Sequence, residues 1–130
     1  MSNHVETVQS IYAAFGRGDV PAILERLAPG IEWEHDAVDH GVAYLRPRRG
    51  RDQVAGFFGD LAAGVEIAVF EPLSFLVGGD QVAVPIRFEC TLRRNGRRVR
   101  DLEIHLWTFG ADGRVARFRH LLDTHQHAAP

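Results

Sequence analysis

The half of the chain after Val65 constrains the fold most. Four segments, "VEIAVFEPLSFLV", "QVAVPIRFECTL", "RVRDLEIHLWTF" and "RVARFRHLL", are rich in β-branched and aromatic residues, the types that fit a pleated, half-buried surface. "GGD", "RNG" and "ADG" separate them, and short glycine turns of this kind join antiparallel strands. In the second segment Val82, Val84, Ile86, Phe88, Cys90 and Leu92 alternate with polar or small residues, so one face is buried. The pattern predicts a long antiparallel meander whose apolar face needs a cover.

The first half supplies it. Asn3 and Glu6 read as a helix cap, followed by Val5, Val8, Tyr12 and Phe15 on one face. "GRGD" breaks that helix, and Asp19 caps a second with Pro21 in its first turn and Ile23, Leu24 and Leu27 as its stripe. "APG" ends it and releases a strand around Ile31 to His35. After the loop "HGVAYLRPRRG", Asp52 is placed to cap a third helix through Val54, Phe57, Phe58 and Leu61. The predicted class is α+β, a curved antiparallel sheet wrapped around three N-terminal helices. The expected domain is 1–124, with "DTHQHAAP" leading into a flexible tail over 125–130.

Composition narrows the chemistry. At 130 residues the chain is one domain, and a net charge of −2 argues against a general nucleic-acid or membrane-surface binder. No run approaches the roughly 20 apolar residues of a membrane span, and no signal-like segment leads the sequence; a cytoplasmic location is expected. Cys90 is alone, which excludes an intrachain disulfide and a cysteine metal cluster. All 15 basic residues are arginine, so a Schiff-base or phosphate-loop lysine is excluded. Ser2, Ser10 and Ser74 sit in no nucleophile-elbow pattern.

Three stretches, "VQSIYAAFGRGDVPAILERLAPGIEWEHD", "GRDQVAGFF" and "HLWTFGADGRVARFRHLLD", resemble in order and spacing the nuclear transport factor 2-like superfamily, in its SnoaL-like and ketosteroid-isomerase-like branch. The resemblance implies a cone, a strongly bent sheet closed at one end by three helices around a mostly apolar cavity. It also implies a homodimer formed through the outer sheet face and a small apolar organic ligand. The superfamily holds isomerases, cyclases, epoxide hydrolases, dehydratases and non-enzymatic modules, so fold alone does not decide activity.

The resemblance also nominates a site. Ketosteroid isomerases use a carboxylate base on the early strand, with a tyrosine on the first helix and a protonated aspartate on a late strand holding the oxyanion. By motif position these fall on His35, Tyr12 and His105, with Asp36 as the base if the strand ends one residue early. An imidazole with an ordinary pKa of about 6.5 suits proton transfer at neutral pH. In the SnoaL-like cyclases a histidine and aspartate cluster does the work, which here His35, Asp36, His105 and His120 can assemble. Strand alternation puts Trp33 and His35 on one side and Glu32 and Glu34 on the other. Trp33, Phe57, Phe88 and Phe118 are expected as cavity wall, with Glu103 beside His105. Asp123, His125 and His127 read as solvated tail, and neither a metal nor another cofactor is expected. Of the arginines, Arg46, Arg48, Arg49 and Arg51 can hold an acidic group of a ligand, whereas Arg93, Arg94, Arg97 and Arg98 protect a sheet edge. The expected function is cofactor-independent acid–base chemistry on an apolar, carbonyl-bearing substrate. The rival is a non-catalytic ligand-binding or dimerisation module.

Overall fold

Asp19 shows how closely the local signals are followed. Its Oδ1 accepts from the Ala22 amide at 3.2 Å, and Pro21 stands in the first turn of α2 (Val20–Glu25). A computed structural model of the chain describes residues 3–130, so Met1 and Ser2 fall outside the described residues. Before α2 lies α1 (His4–Gly16), where Asn3 takes the cap position without a side-chain cap bond. The third helix, α3 (Arg51–Gly64), is capped by Gly50 at φ 83° rather than by Asp52, which sits in its first turn. A backbone in that left-handed region favours glycine.

The strands are β1 (Leu27–Trp33), β2 (Arg48–Arg49), β3 (Val65–Pro72), β4 (Leu76–Gly78), β5 (Gln81–Leu92), β6 (Arg98–Phe109) and β7 (Val115–Leu121). They form one curved, unclosed sheet in the order β2-β1-β7-β6-β5-β3, with β4 beside β5. The glycine turns lie where the sequence put them, with Gly79, Gly96 and Gly113 all at positive φ. Every alternating residue from Val82 to Leu92 is buried.

The sheet departs from the expected one in three places. It is mixed, because β1 runs parallel to β7; the chain goes through β2, α3 and β3–β6 between them, and such a crossover allows parallel pairing. The first strand also starts earlier and stops earlier than predicted: "APG" lies inside it, at an irregularity between Leu27 and Glu32. Finally, the predicted tail folds into a fourth helix, α4 (Thr124–Ala128). Gln126 pairs with both backbone groups of Arg100 at 3.1 and 2.8 Å. Arg94 holds the carbonyls of His127 and Ala129 at 2.7 and 2.6 Å. A side chain that satisfies a strand's open N–H and C=O docks a short helix firmly.

The helices and the concave face of the sheet enclose aromatic side chains. Trp33 stacks on Phe118 at 4.1 Å between ring centroids, and Trp107 packs on Phe118 at 4.4 Å. Gly64 tests how tight this packing is. A Cβ built there would lie 2.9 Å from the buried Tyr44 ring, closer than carbon atoms approach. Gly64→Ala is expected to cost about 1–3 kcal/mol through overpacking, read as a lowered midpoint in urea with an unchanged slope.

Candidate functional site

Six polar side chains, those of Tyr12, Tyr44, Glu103, His105, His120 and His127, line an otherwise apolar and aromatic cavity of about 60 Å³. They come from α1, a short 3-10 turn at Ala43–Leu45, β6, β7 and α4. Asp101, Glu103 and His105 share the inward face of β6, and Phe118 and His120 share that of β7. Trp33, Phe57, Phe88 and Phe118, expected as wall, all line the cavity.

The strand parity expected for "IEWEHD" fails after Trp33. Glu34 adopts φ 59°, and Asp36 and His40 also lie in the left-handed region at 63° and 53°. For a non-glycine residue this costs roughly 1–2 kcal/mol, and such strain concentrates where a side chain must be re-aimed. Here the kink keeps the Glu34 amide on the Phe118 carbonyl at 2.8 Å while turning its carboxylate inward, where it is 1% exposed. His35 is displaced outward to pair with Glu32 at 2.7 Å and Asp36 at 3.2 Å. Asp36 is 83% exposed. Neither His35 nor Asp36 lines the cavity, so the structure corrects the placement of both. Glu34 is buried in place of His35, paired with His120, although it too lies outside the cavity lining.

A chain of contacts crosses the floor. The Trp107 indole N–H donates to Tyr12 Oη at 3.0 Å, and Tyr12 Oη lies 2.8 Å from His105 Nδ1. Since Tyr12 already accepts from the indole, its own proton is assigned to the bond with His105 Nδ1. That leaves the neutral imidazole's proton on Nε2, which faces Glu103 Oε1 at 3.8 Å. His120 bridges two carboxylates, with Nδ1 2.9 Å from Glu34 Oε2 and Nε2 3.3 Å from Glu103 Oε1. On the other side of Glu103, His127 Nε2 stands 3.8 Å from Oε2, and the Tyr44 hydroxyl is 2.6 Å from His127 Nδ1.

The electrostatics follow from this arrangement. Burial works against charge on His120, but hydrogen bonds and attraction from Glu103 and Glu34 outweigh it and push its pKa up to about 10. Burial also opposes ionisation of Glu103, yet the imidazoles of His105, His120 and His127 overcome it and hold the carboxyl below its usual range. His105 goes the other way: burial, only partly offset by Glu103, keeps it below the ordinary histidine value and therefore neutral. Burial raises the Tyr12 hydroxyl above its normal pKa despite the Trp107 hydrogen bond, so it stays a proton donor. The floor thus sets a neutral imidazole and a protonated phenol beside a paired carboxylate and imidazolium.

Two of the arginines expected to hold a ligand's acidic group, Arg48 and Arg51, are used within the protein. Arg48 holds Asp60 at 2.6 Å and the Ala43 carbonyl at 2.8 Å, and Arg51 donates to the Leu27 carbonyl. His127, expected as solvated tail, is instead buried against the cavity, and Tyr44 joins the lining unexpectedly. The one available signal for His127 was Gln126, whose amide can dock on an open strand edge.

An α+β cone whose apolar chamber ends in a cluster of hydrogen-bonded ionisable groups is the architecture of the nuclear transport factor 2-like superfamily. The SnoaL-like domain family matches residues 8–118, and the chain belongs to it. A protein of unknown function from Burkholderia pseudomallei K96243, of the same superfamily, is 30% identical, with a TM-score of 0.83 over 95% of this chain and 93% of that one. Another, from Burkholderia thailandensis E264, is 26% identical, with a TM-score of 0.84 over the whole of both chains. TerC, solved as a co-crystal with polyporic acid, is 27% identical, with a TM-score of 0.78 over 95% of this chain and 93% of its own. No curated protein matches the chain. Among the described residues no helix is long and apolar enough to cross a membrane.

Proposed function

We propose that this protein binds a small, largely apolar organic compound bearing a carbonyl or enol oxygen and moves a proton on it at the chamber floor. The observation that carries this reading is the 2.8 Å contact between Tyr12 Oη and His105 Nδ1, with Glu103 on the far nitrogen of the same imidazole. A ligand oxygen beside Tyr12 takes over the hydroxyl's donated bond and frees His105 Nδ1 to accept a proton. Glu103 then stabilises the imidazolium that forms, and Tyr12 steadies the charge on the ligand oxygen. The Trp33 indole nitrogen supports a polar ligand atom nearby, being a buried donor without a protein partner on a residue that lines the cavity. The co-crystal of TerC with polyporic acid supports a small organic ligand for this fold.

Tyr12→Phe tests the proposal because it removes one oxygen and keeps the ring. For a compound found by its ability to raise the melting temperature of the purified protein, turnover is expected to fall about 100-fold while the thermal shift persists. Turnover equal to wild type would remove Tyr12 from the chemistry, and a wild type that turns over none of the compounds it binds would leave the pocket as a binder only. That second reading draws on the position of His35 outside the cavity and on a volume of about 60 Å³, which admits a larger ligand only if aromatic side chains move. In either case self-association through the outer sheet face is supported by Leu102 and Leu121, 60% and 47% exposed.

A further inference from the structure

We propose a second site, for a divalent ion of the zinc class, formed by Asp101, Glu103 and His127 where α4 docks against β6. One ligand atom from each of these side chains lies within 4.8 Å of the other two. The site does not depend on the proton-transfer reading. It stands even if the chamber does no chemistry.

The clearest sign of it is a mismatch. Glu103 Oε2 and His127 Nε2 are both buried without a hydrogen-bond partner, although they face each other at 3.8 Å. That separation is too long for a direct hydrogen bond. A single bridging water at ordinary bond lengths would hold its two partners about 4.6 Å apart. Two ligands of one tetrahedral ion, each about 2.1 Å from the metal, lie about 3.4 Å apart. The observed spacing is nearer the second figure, and a small inward movement closes it.

The surroundings fit the same conclusion. Metal-binding histidines commonly have their other ring nitrogen anchored by an outer group, and Tyr44 Oη anchors His127 Nδ1 at 2.6 Å. Asp101 is oriented likewise: its Oδ2 accepts from the Asp123 amide at 2.8 Å. Glu34 and Glu103 already share the His120 imidazolium, so Asp101 adds a further carboxylate to a buried acidic group. The nearby arginines do not neutralise it, because Arg100 pairs with Glu89 and Arg94 binds backbone carbonyls. Two carboxylates and an imidazole suit zinc and its neighbours better than the all-oxygen shells of calcium and magnesium. Bound there, the ion clamps α4 to β6 and fixes the polar end of the chamber. His125, which is exposed, takes no part.

The test uses the full chain without an affinity tag, stripped with EDTA and titrated with Zn²⁺ and separately with Co²⁺. One equivalent is expected to bind, with visible absorption from Co²⁺ in a low-symmetry N/O site. At a hundredfold excess over Kd the melting temperature should rise by about 8 °C. Asp101→Asn, a conservative change at a half-buried position, and His127→Ala should each abolish both signals, while His125→Ala keeps them. A wild-type protein whose melting temperature and spectrum ignore both ions overturns the proposal. So does binding that survives Asp101→Asn and His127→Ala alike.

Discussion

Replacing Glu103 with alanine is expected to lower the melting temperature by about 10–20 °C. Glu103 is 2% exposed, and its carboxylate is the common neighbour of three imidazoles. Removing one member of a buried ion pair costs about 3–5 kcal/mol, because the charge left behind has neither water nor a partner. For a domain of this size each kcal/mol is worth roughly 3–5 °C. His120 would keep only Glu34, and its Nε2 proton would face a void. Glu103→Gln should fall between wild type and alanine, since the amide keeps the shape and one acceptor but not the charge. Differential scanning calorimetry on the three proteins decides the matter. A shift of under 3 °C for the alanine variant would mean that the imidazoles do not depend on this carboxylate.

The largest effect on activity is expected from His105→Ala. If His105 Nδ1 is the proton acceptor, loss of the imidazole removes a general base worth about 10²–10⁴ in rate. It should leave ligand binding largely intact, because the aromatic wall supplies most of the contact area. The neighbour Tyr12 would still accept from Trp107, so the floor should not collapse. The discriminating measurement is the pair kcat and Kd for one compound on wild type and variant. A fall in kcat at unchanged Kd supports the role, and unchanged kcat rejects it. Parallel losses in both would assign His105 to binding instead.

The meander and its buried face were legible because alternation from Val82 to Leu92 and three glycine turns leave few alternatives. The Asp19 cap with Pro21 was legible for the same reason, a local signal with a local cause, whereas Leu27, read as part of the second helix's stripe, opens β1. The inward placement of Tyr12, Glu103, His105 and His120 was legible because they lie within regular elements, where the period tells which way a side chain points. His35 was misplaced because alternation was carried two residues past the end of β1, through a backbone that turns left-handed at Glu34. Nothing in "EWEHD" marks that turn, since glutamate and histidine are ordinary strand-edge residues. The parallel pairing of β1 with β7 and the docking of α4 are long-range events, and short-range patterns carry no record of them. The buried His127 was hidden with the helix that presents it.

The parallel contact between β1 and β7 also bears on how the protein folds. Glu34 and His120 are 86 positions apart, Tyr12 and His105 are 93, and Tyr44 and His127 are 83. Hairpins such as β5–β6 close short loops and can form early, whereas each of these contacts must wait for a large loop to close. The polar cluster of the cavity is therefore expected to be among the last features to form as the chain folds. A chain with only the meander formed would not yet bring Tyr12 to His105 or His120 to Glu34, so those contacts report the completed topology.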